Sequence, residues 1–133
     1  MTYRPVGARI VAYGSSVALV VVTIVIGVAL PSDIEFTVPE LITLALTLGA
    51  MLAVLHGIGR SYVRADDTGL EILNGYRRHH IPWDRMKGIS MNTGAPWPTL
   101  VLKDDDRVLL FAIQGSDGAT ARAAVDDLVR RIP

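Results

Sequence analysis

Charged positions avoid two long stretches near the start of this chain and become frequent after residue 60. Residues 10–30, IVAYGSSVALVVVTIVIGVAL, form 21 positions without a charge, and residues 41–59, LITLALTLGAMLAVLHGIG, form 19. As α-helices these runs would be about 31 Å and about 28 Å long, close to the roughly 30 Å hydrocarbon core of a bilayer. Their β-branched content does not redirect them to strands, because hydrocarbon offers nothing to an open strand edge. Pro39 suits a helix start, where its missing N–H costs little. Two buried core helices are the competing reading, but so short a chain has no other layer to cover both on all sides. A secretory signal peptide is the second rival, with Arg4 and Arg9 ahead of an apolar run. That run exceeds the usual signal-peptide core, and a second follows at once. The pattern predicts two transmembrane helices, over about 10–30 and 39–59.

Beyond residue 60 the apolar runs shorten and the period falls toward two. Residues 69–73 (GLEIL) and 76–81 (YRRHHI) flank Asn74-Gly75, the strongest short-range signal for a hairpin. With Asn74-Gly75 as the turn, Leu73 faces Tyr76, Ile72 faces Arg77 and Glu71 faces Arg78. Pro82 ends this hairpin, since it cannot donate to a ladder. Residues 87–91 suggest another strand, and residues 92–98, with Gly94, Pro96 and Pro98, a loop. A second hairpin is expected from residues 99–103 and 108–113 around Asp104-Asp105-Asp106-Arg107. From Asp117 the spacing of Ala121, Ala124, Val125, Leu128 and Ile132 becomes helical, with Ser116 or Asp117 as the cap. The fold class is therefore α+β: a transmembrane hairpin over 1–60, then a small antiparallel β domain over 61–133 closed by an amphipathic helix.

Charge adds orientation. Arg4 and Arg9 precede the first run and Arg60 and Arg64 follow the second, whereas the connection carries Asp33, Glu35 and Glu40 and no cation. The positive-inside rule then puts both termini in the cytoplasm of a plasma-membrane protein. His56 lies within a turn of Arg60 and reads as an interfacial residue. Gly14, Gly27 and Gly49 would permit close helix approach. The whole chain has 13 basic and 13 acidic residues, which does not fit a basic nucleic-acid binder. It has no cysteine, which removes thiol chemistry and cysteine metal sites. No nucleophile–base set, phosphate loop or metalloprotease motif occurs, so neither catalysis nor a cofactor is expected.

Asp67-Thr68-Gly69-Leu70, Arg77-Arg78-His79-His80-Ile81-Pro82-Trp83-Asp84, Pro96-Trp97 and the Asp117-Gly118 helix start occur in an order that resembles a family of small actinobacterial membrane proteins. These carry a bacterial pleckstrin-homology (PH)-like domain and are typified by the low-molecular-weight protein antigen 6 group. The resemblance covers roughly residues 60–131 and implies a PH-like barrel or half-barrel capped by a helix, with no catalytic residues. Candidate contacts for a lipid or a partner are Arg77, Arg78, His79 and His80, the densest basic cluster, together with Trp97. His79 and His80 are adjacent in a strand and point to opposite faces, so they make no metal pair. Asp104-Asp105-Asp106 lacks the spacing of a calcium loop and reads as a turn. Trp83 is expected in the core. The function expected is that of a membrane-anchored adaptor presenting its cytoplasmic domain to an unidentified protein partner. An anionic-lipid sensor and a structural subunit of a larger membrane complex are the alternatives, and self-association into a homo-oligomer is a further candidate.

Overall fold

The computed structural model describes residues 1–133. Two antiparallel helices, α1 (Val6–Ala29) and α2 (Val38–Arg60), stand on a β domain and are long and apolar enough to cross a membrane. At 24 and 23 residues they extend about 36 Å and about 34 Å. Most of their apolar side chains, among them Val11, Val17, Val21, Val25, Leu46 and Val54, lie exposed. Inside the helices the hydroxyls of Ser16, Thr23, Thr43 and Thr47 donate back to carbonyls one turn earlier, at 2.7–2.9 Å. That satisfies these four hydroxyl hydrogens in an apolar setting. The start of α2 is set by Thr37, whose N–H and hydroxyl both donate to the Glu40 carboxylate at 2.8 Å.

The β domain holds two sheets. The first runs β1 (Thr2–Tyr3), β2 (Tyr62–Ala65), β3 (Gly69–Asn74), β4 (Arg77–Pro82), all antiparallel in that order. The second runs β5 (Met86–Ser90), β6 (Thr99–Leu102), β7 (Arg107–Leu109). Helix α3 (Ala119–Arg131) closes the sandwich. Its Ala121, Ala124, Val125 and Leu128 join Val63, Leu70, Ile72 and Ile81 of one sheet and Met86, Leu100 and Leu102 of the other in a single core. This is the PH-like arrangement of strands and closing helix. A β domain beginning at residue 61 is corrected in one respect, because the first sheet takes its edge strand from ahead of α1. The helical hairpin thus occupies the connection between β1 and β2. Tyr3 is held by a short hydrogen bond from its hydroxyl to Asp127 of α3. Burial, then that bond, push the Tyr3 phenol up to about 12, and the same bond holds the Asp127 carboxyl below the usual range.

The first β-hairpin has a different register from the one expected. Asn74 pairs with Arg77, Leu73 with Arg78, Ile72 with His79 and Glu71 with His80, so the turn residues are Gly75 and Tyr76. Gly75 has φ +62°, and Tyr76 is not in the left-handed region. A turn with positive φ only at its first central position is the II′ pattern, which places Gly first. Asn74 is drawn out of the turn because its side chain is used elsewhere: Nδ2 donates to Leu109 O (2.6 Å), and Phe111 N donates to Oδ1 (3.2 Å). The side chain thereby joins the end of one sheet to the end of the other. Glu71 and Arg78 still meet, but diagonally, at 3.7 Å.

Two boundaries also moved. The strand expected over 108–113 ends at Leu109. The chain then turns so that Leu110, Ala112 and Ile113 all enter the core, which an alternating strand could not achieve. Ser116 and Asp117 do not cap α3. They lie in a 3₁₀ turn, Gly115–Asp117, and Gly118 at φ +56° occupies the cap position. Asp104 and Asp105 do form a turn, and it is neutralised by Arg85, just ahead of β5, through Arg85–Asp104 (2.8 Å), and by Lys87 of β5 through Lys87–Asp105 (2.9 Å).

Candidate functional site

Almost no linker separates the helices from the sheet, since only Arg4-Pro5 and Ser61 intervene. The Gly75-Tyr76 turn is therefore brought against the last turns of α2. Ser61 Oγ donates to Gly57 O (3.0 Å) and accepts from Gly75 N (2.9 Å), linking the helix end to the turn. Tyr76 reaches further along α2 and donates to Ala53 O at 2.5 Å. Ala53 lies about 10 Å along the helix from Arg60. Gly57 makes this approach possible, because a Cβ there would lie 2.9 Å from the Tyr76 ring. Gly59 does the same for Tyr13, at 2.8 Å. The glycines expected to give close approach, Gly14, Gly27 and Gly49, face open space instead. His56 sits between the two rings, 3.2 Å from the Tyr13 hydroxyl and 6.5 Å from the Tyr76 centroid.

Beside this junction lies a groove of about 610 Å³. Val54 and Ile58 of α2 form one wall. Trp97 and Phe111, tilted rings with centroids 4.8 Å apart, form the other. Arg77, Tyr76 and Gln114 stand at its rim. The aromatic wall depends on the Pro96-Trp97-Pro98 step. Pro98 is fully buried and its carbonyl accepts from Leu110 N at 3.0 Å, while the Pro96 carbonyl accepts from Gly115 N at 2.8 Å. Trp97 is left half-buried between them. No carboxylate lines the groove. The Arg60 guanidinium lies 5.3 Å from the Tyr76 ring centroid, a cation–π distance. Ser61 has its hydroxyl engaged on both sides, so the groove has the character of a binding surface, with apolar walls and a cationic rim.

The five residues singled out from sequence are divided by the fold. Arg77 and Trp97 line the groove together. His79 pairs with the core residue Ile72 and so lies on the inner face, half-buried. Arg78 and His80 project from the outer face, where Glu71 lies between Arg64 and His80 in the cross-strand register. Glu71 also accepts from the Tyr62 hydroxyl (2.7 Å), which raises the Tyr62 pKa. The two histidines do not converge, and no group of three potential metal ligands forms here. Trp83 packs against the core, half-buried, with its indole N–H donating to Asp66 O at 2.9 Å. Tyr76, Asn74, Ser61 and Phe111 were missed in the sequence. The available signal was Asn74 itself, a turn-former whose side chain can also bridge neighbouring backbone.

The outer edge of β4 is open, because it pairs only with β3. The two-residue turn makes Asn74–Arg77, Ile72–His79 and Leu70–Ile81 the hydrogen-bonded pairs. The N–H and C=O groups of Arg78 and His80 consequently point outward.

Comparison with known proteins places residues 60–131 under the description bacterial PH domain. The chain is also similar to uncharacterized proteins of Mycobacterium tuberculosis and Mycobacterium bovis, each 31% identical over 83 residues, which is 59% of this chain and 54% of the relative. It thus spans about half the length of the curated relatives it matches. No solved structure matches.

Proposed function

The chain belongs to the bacterial PH domain family, and from that premise we propose that it is a membrane-anchored, non-catalytic adaptor that docks a protein partner along β4. In this reading α1 and α2 cross the plasma membrane and both termini are cytoplasmic. The exposed apolar surface of both helices supports the spanning, and the basic flanks with an acidic connection support the orientation. Reporter fusions should place residue 35 outside and residue 133 inside. A C-terminal fusion active only in the exported compartment would overturn this arrangement.

The observation that carries the docking reading is the open edge of β4. An exposed edge is a template for an added strand, and main-chain hydrogen bonds from Arg78 and His80 would supply the affinity. The outer face beside it holds Arg64, Arg78 and His80 against the single carboxylate of Glu71, which favours an extended segment of net negative charge. Proline on an edge strand removes an outward N–H without disturbing the inner ladder. Wild-type protein extracted in mild detergent should retain a stoichiometric partner, His80→Ala should retain most of it, and His80→Pro should lose it with an unchanged circular dichroism spectrum. Retention by the proline variant, or no partner on the wild type, would overturn the reading.

A further inference from the structure

We propose that the groove between α2 and the Trp97–Phe111 wall is a binding site for one anionic phospholipid, resting on the reading that α1 and α2 span the bilayer. Three features meet there. Val54 and Ile58 belong to α2 itself and are 63% and 42% exposed, so this wall continues the lipid-facing surface of a helix. An acyl chain can lie along it without leaving hydrocarbon. Tyr76 marks the depth at which that surface meets water, since the residue is 59% exposed while its ring lies beside Gly57 and its hydroxyl reaches back to the helix. Amphipathic rings of this kind settle at the headgroup level.

The third feature is charge. Arg77 stands at the rim without an ion-pair partner, whereas its neighbour Arg78 is paired with Glu71. Arg60 lies over the Tyr76 ring and likewise has no ion-pair partner. With no carboxylate in the lining, these cations have no counter-charge from the chain, and a lipid phosphate with an anionic headgroup supplies one. An acidic peptide would satisfy the arginines but would leave the Val54–Ile58 wall uncovered at membrane depth. This site is distinct from the β4 edge. Arg77 points to the inner face and rim, whereas Arg78 and His80 serve the outer face.

The test uses the full chain reconstituted in bilayers, with Trp83→Phe so that Trp97 is the sole tryptophan. Quenching of Trp97 by phosphatidylglycerol brominated near its headgroup should exceed quenching by the matching brominated phosphatidylcholine. Adding Arg77→Ala should cut the preference about fivefold, the factor expected for one cation at an anionic surface. Should Trp83→Phe fail to fold, wild-type protein released from the same bilayers into a mass spectrometer should carry one anionic lipid, and Arg77→Ala about fivefold less of it relative to phosphatidylcholine. Equal quenching by both lipids, or a released protein with no lipid, overturns the site. Extraction of the protein by alkaline carbonate overturns the spanning reading, and with it the site, because the apolar wall would then lie outside the bilayer.

Discussion

Leu128→Ala should destabilise the β domain by about 2–5 kcal/mol, the range for a buried leucine cut back to alanine. Leu128 is fully buried on the face of α3 that seals both sheets, and it joins a core of 15 residues. The lost methylenes leave a cavity whose far walls belong to different sheets, so collapse around it requires the sheets to move. A domain of this size has a total stability of roughly 4–11 kcal/mol, which makes the change a large fraction of the whole. Urea unfolding of the full chain in detergent, followed through Trp83 and Trp97, reports on the β domain alone because both tryptophans lie in it. Val129→Ala is the matched control: Val129 is 42% exposed, and its truncation should change stability by about 0.5 kcal/mol or less. A loss under about 1 kcal/mol for Leu128→Ala would mean that α3 does not seal this core.

Gly69→Ala should cost about 3 kcal/mol, the upper part of the range for overpacking. Gly69 opens β3 opposite Pro82, and a Cβ there would overlap the Ile81 carbonyl oxygen and lie 2.9 Å from Pro82 Cα. Those are backbone atoms of the partner strand and cannot rotate away as a flexible side chain would. Accommodation must part the strands where Leu70 and Ile81, both in the core, face each other. Gly88→Ala, in β5, meets no heavy atom within 4 Å and should be neutral within about 0.5 kcal/mol. The same urea titration reads both variants. Equal effects from the two would show that strand approach at Gly69 is looser than the geometry requires.

The candidate site was only partly legible in the chain. Arg77 and Trp97 were singled out separately, one as a member of a basic cluster and one as an aromatic between prolines. Nothing in their spacing, 20 positions apart, says that they share a groove. The cluster also looked continuous along the sequence, but alternation along β4 sends its members to two faces. Tyr76 has the local pattern of a strand residue. It became a turn residue because Asn74 is held by Leu109 and Phe111, and that long-range bond shifted the hairpin register.

Local chemistry was enough for the elements themselves. Two uncharged runs of 21 and 19 residues give two helices because period, length and lack of charge all act within one segment. The apolar spacing at Ala121, Ala124, Val125 and Leu128 likewise selects the buried face of α3 without reference to any partner. What the tertiary structure decided concerns groups distant in sequence. The short edge strand Thr2–Tyr3 has no detectable pattern of its own and exists because β2 offers it a ladder and Asp127 accepts its tyrosine hydroxyl. The turn register, the glycines that admit Tyr13 and Tyr76 to α2, and the groove beside them were decided in the same way. Each depends on a hydrogen bond or a close approach across the fold, and the energy of such contacts is absent from any local window of sequence.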